Sequence, residues 1–248
     1  MTRAAITGFA SFLRFWRIIF VLTKHETDSK KKHQSSLYMK KSLFKQHAVL
    51  ACMAISVALI VLASQLYPGG SLLDKHAAGF DWSKNFISNL FAPQAINGLA
   101  NRGRVWAVAG MAFQSFGYGI FFIRMAKKIP SRPVSKILKF IGTANVLFIF
   151  LIATPLHDLG TLSILLTLIG LFIITVFVLK TKRHLLKIGC IICLMTFYCF
   201  FFFFGFGNLI WAAILQKVYN LSAILLVIAL EYFSKAEDFT PFVSRKKR

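Results

Sequence analysis

Six long apolar runs constrain this chain more than any other feature of its sequence. They fall at residues 48–66, 105–123, 140–156, 161–179, 188–206 and 215–233; the first five hold no Asp, Glu, Lys or Arg, and the sixth only Lys217 and Glu231. A helix needs about 20 mainly apolar residues to cross the hydrocarbon of a bilayer. Backbone N–H and C=O groups left unpaired in lipid are too costly for any open structure, and the period-2 alternation of a barrel strand is absent. The expectation is an all-α, polytopic membrane helix bundle of six transmembrane helices. Composition agrees: 57% of the 248 residues are hydrophobic and 27 are Phe, against about 45–50% apolar residues in soluble domains. Turn and charge signals separate the runs: Pro68 with Gly69 and Gly70, Pro130 and Pro133, Pro155 with Gly160, the basic stretch 180–184, and Gly205 and Gly207 with Asn208.

The formal charge is +22. A nucleic-acid binder gathers its cations on one folded polar face, whereas here they sit between uncharged runs and alternate by side. Ten Lys and Arg lie in 1–47, six in 124–139, four in 180–187 and five in 234–248; the opposite side has four in 67–104 and Lys217. The positive-inside rule then predicts a multi-pass inner-membrane protein with both termini cytoplasmic and the 67–104 loop outside. Membrane lipids are the expected partners and nucleic acid is not. Three regions follow: a basic segment 1–47, a membrane domain 48–233 and a basic tail 234–248. The first region reads in two ways. Phe12, Phe15, Trp16 and Ile19 can lie in lipid as an interfacial helix, or the natural start is Met39, just before Lys40, Lys41 and the first apolar run. Cys52, Cys190, Cys193 and Cys199 all fall inside apolar runs and read as small packing residues, since a thiolate in hydrocarbon is disfavoured.

Polar chemistry is concentrated outside. Within 67–104 lie Asp74, His76, Asp81, Asn85, Ser88 and Asn89, and between the third and fourth spans lie His157 and Asp158. Phe80, Trp82, Phe86, Ile87 and Leu90 recur at near-helical spacing, which predicts a short amphipathic helix in the first outer loop with Asn85, Ser88 and Asn89 facing a common pocket. Asp81, Asn85, Ser88 and His157 are the candidate substrate-binding residues. Zinc is the one cofactor the residues suggest, with His76, His157 and Asp158 as candidate ligands and Asp74 or Asp81 as substitutes. His157, Asp158 and Ser88 are then the candidate catalytic residues, around a metal-activated water. No HxxxH, HExxH or loop CxxC pair fixes two ligands on one face. Within the spans, Gln114, Ser115, Asn145 and Asn220 are uncommon polar residues expected to face the bundle interior.

Tyr67, Pro68, Gly69, Gly70 and Ser71 after the first span, Gly79, Phe80 and Trp82, then Asn85, Phe86, Ile87, Ser88 and Leu90, and finally Thr154, Pro155, His157 and Asp158 together resemble the membrane family filed as domain of unknown function 998. The resemblance covers residues 45–233 and implies a prokaryotic six-helix inner-membrane protein of no established activity; residues 1–38 fall outside it. A fainter similarity is to the alkaline ceramidase and progestin-receptor group of zinc membrane hydrolases, matched only by Ser88, His157 and an Asp. Three functions are therefore open. The first is binding of a lipid or other amphiphile in a pocket at the outer face, the second zinc-dependent hydrolysis of a lipid amide or ester, and the third small-molecule permeation.

Overall fold

The computed structural model describes residues 32–152 and 160–239, with side chains described from Gln46 onward except at 148–152 and 160–162. The chain divides into two compact units, Met1–His47 and Ala48–Arg248. Of the first, the described part is the start of a helix; the expected interfacial residues Phe12, Phe15, Trp16 and Ile19 lie outside the described residues, as does the connection holding His157 and Asp158.

The described elements are α-helical. They are α1 (Lys32–Gln65), α2 (Arg104–Lys128), α3 (Arg132–Ile152), α4 (Gly160–Val178), α5 (His184–Gly205) and α6 (Leu209–Phe233), with short 3-10 helices at Ile87–Phe91 and Ala236–Phe239. Among the described residues four stretches are long and apolar enough to cross a membrane: Gln46–Gln65, Arg104–Lys128, His184–Gly205 and Leu209–Phe233; Ser163–Val178 is a shorter apolar stretch. This is the architecture of a multi-pass membrane protein. Helices outrun the apolar windows that mark them, because backbone hydrogen bonding continues past the hydrocarbon. Helix α3 starts at Arg132 with Pro133 in its first turn, where a missing N–H costs nothing. Helix α6 starts at Leu209, ahead of the expected 215, because Asn208 Oδ1 accepts from Trp211 N at 3.3 Å and supplies an N-cap.

Helix α2 is the hub. Gly110 and Gly117 let α1 approach so closely that a Cβ on Gly117 would lie 3.0 Å from Cys52 Cβ and one on Gly110 would lie 3.2 Å from Ser56 O. On another face, Gly119 meets Gly142 of α3, and a Cβ at either position would come within 2.9 Å of the other's carbonyl oxygen. Small residues at such crossings are how membrane helices gain packing contact without a hydrophobic drive. Between these faces Phe121 and Phe122 are fully buried, in a core with Leu138, Ile174, Cys190, Val227 and Leu230. All four cysteines are unpaired, three of them buried and Cys199 half-buried. The outward face of α5, including Ile188, Ile191, Met195, Tyr198 and Phe202, stays about half exposed, as a lipid-facing surface must.

The end of the bundle rich in Lys and Arg is tied by charge. Glu231, one of the two charged residues of the sixth apolar run, pairs with Arg124. Lys128 Nζ donates to the carbonyls of Glu231 (2.9 Å) and Leu230 (3.3 Å), so a cation from α2 caps the C-terminus of α6. Arg183 bonds Asp238 at 3.0 Å, and Phe239 plugs the core with no exposed surface.

Candidate functional site

At the opposite end the long connection between α1 and α2 is not a free loop. Gly69 and Gly70 take φ of 140° and 83°, values reserved in practice for glycine, and a Cβ on Gly70 would lie 2.5 Å from Asn97 N. That crossing allows Gly70 N to donate to Ala77 O at 2.7 Å and the Tyr67 hydroxyl to accept from Ile96 N at 3.1 Å. Asparagines then replace missing secondary structure. Asn85, fully buried, donates to Gly70 O at 2.8 Å and accepts from Asp81 N at 3.1 Å. Asn101 donates to Leu90 O and Ala92 O and accepts from Gly103 N.

These bonds change what the 80–90 stretch becomes. The expected amphipathic α-helix forms only as a turn over 82–84 followed by the 3-10 helix Ile87–Phe91. Asp81 Oδ1 accepts from Ser83 N (2.8 Å) and Ser83 Oγ (2.6 Å), and Asn89 Oδ1 accepts from Phe86 N (2.7 Å). Side chains that bond nearby backbone in this way compete with continuous helix. Asn85, Ser88 and Asn89 therefore do not converge: two turn to the loop's own backbone, and only Ser88 faces a cavity. The Ser83 hydroxyl, backed by the Ser83 N–H and Lys84, holds the Asp81 carboxyl down to about 2. His76 is exposed, and its backbone N–H donates to Asp74 Oδ1 at 2.9 Å. Among the described residues no three His, Cys, Asp or Glu side chains are grouped to hold a metal ion; His157 and Asp158 lie outside those residues.

Helix α6 draws this loop inward. Gln216 Oε1 accepts from Ile87 N at 2.8 Å, and Lys217 Nζ donates to Asn85 O at 2.6 Å and Ala213 O at 2.7 Å. The same ammonium lies 5.9 Å from the centre of the Phe80 ring. Gln216 stands about 10 Å along α6 from its start, at about 1.5 Å per residue, so the loop re-enters the bundle. Irregular backbone at such depth is tolerated where protein or a cavity satisfies it. Phe86 packs edge-on to Phe204 at 6.0 Å and joins Ala212 and Ala213, so part of the Phe run in α5 seats the loop.

Beneath the 3-10 helix is a cavity of about 90 Å³ between α2, α4 and α6. Its polar wall is Gln114, Ser115 and Tyr118 from α2, Ser163 and Thr167 from α4, and Gln216, Tyr219 and Asn220 from α6, with Ser88 at the rim. Ser115 and Tyr219 are more than nine-tenths buried, yet among the described residues their hydroxyls have no hydrogen-bond partner and face this space. Behind the wall, Asn145 is fully buried; its Oδ1 accepts from Ser163 Oγ (2.6 Å) and Thr167 Oγ1 (3.1 Å), and its Nδ2 donates to Ile141 O (3.1 Å). Interhelical bonds of this kind contribute about 0.6–2 kcal/mol each in a membrane. The rim reaches the lipid-facing surface at Ile164, which is 44% exposed.

Sequence reading put Gln114, Ser115, Asn145 and Asn220 inside the bundle, and the structure brings the first two and Asn220 to one cavity with Asn145 directly behind. It passed over Ser163, Thr167, Gln216, Tyr118 and Tyr219. The spacing signal was there: residues 111, 114, 115 and 118 share one helical face, as do 163 with 167 and 216 with 219 and 220. No family model matches this chain, and no curated protein or solved structure matches it.

Proposed function

We propose that this multi-pass membrane protein binds an amphiphile at the loop end of its bundle, the polar end of the ligand entering the cavity beneath Ile87–Phe91 and its chain lying in lipid beside Ile164. In this reading the protein sits in an inner membrane through six spans with both termini cytoplasmic, and the loop faces outward. The resemblance to the family of domain of unknown function 998 belongs to the same proposal and rests on the residues named for it. One observation carries the binding reading: Ser115 and Tyr219, residues otherwise packed inside the bundle, turn hydroxyls with no protein partner among the described residues onto a cavity wall that continues to an exposed apolar rim. Polar groups inside a bundle are normally paired, so these hydroxyls take their partner from whatever fills the cavity. A ligand with a polar head supplies one. Asp81 and Asn85 then act by shaping the loop, and Ser88 by lining the mouth.

The test is co-purification. Amphiphiles extracted from protein isolated in a mild detergent are compared by mass spectrometry between wild type, Ser115→Leu, which fills the cavity, and Asn220→Leu, which keeps its volume and removes its amide. One species enriched over bulk lipid in the wild type should fall about tenfold in both variants. Identical profiles in all three folded proteins would overturn the reading.

A further inference from the structure

The donors and acceptors of the cavity wall differ by side, and the difference selects a ligand head. Ser163 and Thr167 both spend their hydroxyl protons on Asn145 Oδ1. What they offer the cavity is oxygen lone pairs, so the α4 wall accepts. Across from it, the Gln216 carbonyl oxygen is taken by Ile87 N, so its amide N–H₂ is left to donate. Asn220, whose side chain has no partner among the described residues, adds both an acceptor and two donors. The Ser115 and Tyr219 hydroxyls each donate or accept. Every side chain on the described wall is neutral, and the nearest cation on α6, Lys217, is committed to Asn85 O and Ala213 O.

Such a wall suits a group that donates and accepts together. A carboxylate or phosphate would meet the lone pairs of Ser163 and Thr167 with no cation to repay its desolvation, and an ammonium would meet the amide donors of Gln216. Size narrows the class further. A dry cavity of about 150 Å³ admits benzene; this one, at about 90 Å³, has room for a head of a few heavy atoms and not for a sugar. We infer that the cavity is a site for the uncharged head of a short-headed hydroxylated amphiphile, of the monoacylglycerol or long-chain-diol class, with the α4 hydroxyls accepting from the ligand and the α6 amides donating to it. This inference rests on the binding reading above and adds the chemistry of the head.

The experiment uses the full chain in phosphatidylcholine nanodiscs and three probes that share one oleyl-length chain: 1-monooleoylglycerol, oleate and oleylamine. Binding is followed by native mass spectrometry and by intrinsic fluorescence titration. Monooleoylglycerol should bind about tenfold more tightly than either charged probe. The Ser115→Ala, Asn220→Leu double variant should lose about tenfold for it while unfolding no earlier than wild type, because neither side chain has a protein partner to lose. If oleate or oleylamine binds best and the double variant weakens that binding, the neutral-head assignment fails and the binding site stands. If none of the three binds, or binding ignores the double variant, a cavity holding only water is the outcome and both fail.

Discussion

At Asp81 three donors converge on one carboxylate: the N–H and hydroxyl of Ser83 at 2.8 and 2.6 Å, and Lys84 Nζ at 3.3 Å. The folded carboxyl is held at about 2, below the value near 3.9 of an unstructured Asp. A depressed carboxylate contributes stability that is complete above about pH 4–5 and is lost as pH falls through about 2. The 81–85 turn should thus loosen between about pH 4 and pH 2. Emission from Trp82, which packs on Phe80 at 5.2 Å, reports it in a protein whose Trp16, Trp106 and Trp211 are replaced by Phe. Asp81→Asn should flatten the response over that window; an unchanged profile in the variant would assign the transition elsewhere. At this scale sequence showed which loop residues are polar among apolar neighbours, and no more. Asn85 and Ser88 look alike in that respect, yet Asn85 binds backbone fifteen residues away while Ser88 faces open space. The pairing depends on where Gly70 is carried by two left-handed glycines, which no local pattern encodes.

Among the elements, α2 decides how the helices meet. Gly119 and Gly142 allow α2 and α3 to touch backbone to backbone, and a Cβ on Gly119 would lie 2.5 Å from Val146 Cγ2 and 2.9 Å from Gly142 O. Gly119→Ala should therefore cost about 1–3 kcal/mol, as overpacking does. Gly189 of α5 is a matched control, since a Cβ there would meet only Leu226 Cδ1, at an ordinary 3.4 Å. Gly189→Ala should be neutral or stabilise by up to about 1 kcal/mol through helix propensity. Unfolding in detergent under increasing denaturant measures both; equal midpoints would show that the α2–α3 crossing is looser than its geometry indicates. The helices themselves were legible from apolar runs, with α6 starting early because Asn208 caps it. The short 3-10 helix at Ile87–Phe91 was not legible as such: its apolar spacing fits an α-helix, and the capping side chains of Asp81, Asn85 and Asn89 defeat it.

For the whole molecule, the asymmetry of Lys and Arg makes a prediction about sidedness. In intact cells an impermeant maleimide added outside should label Ser83→Cys, on the exposed turn of the re-entrant loop, and should reach Lys182→Cys only after permeabilisation. Native thiols interfere little, three of the four being buried. The reverse pattern would invert the orientation and leave the fold intact. The ends are also closed differently: one by Arg124 with Glu231, Lys128 on the α6 carbonyls and Arg183 with Asp238, the other by the asparagines Asn85 and Asn101 on loop backbone, with Lys217 on Asn85 O and Lys84 on Asp81. By itself the sequence determined that the chain is all-α, built from long apolar helices, and that its intramembrane amides must turn inward, because bilayer thickness and the cost of unpaired polar groups act on composition and period alone. Only the tertiary structure decided that residues from α2, α4 and α6 share one cavity, that Lys217 clamps Asn85, and that the loop dips into the bundle. Lys217 and Asn85 lie 132 residues apart, Ile87 and Gln216 129, and the cavity helices are separated by whole intervening elements, so these contacts exist only once the helices are packed.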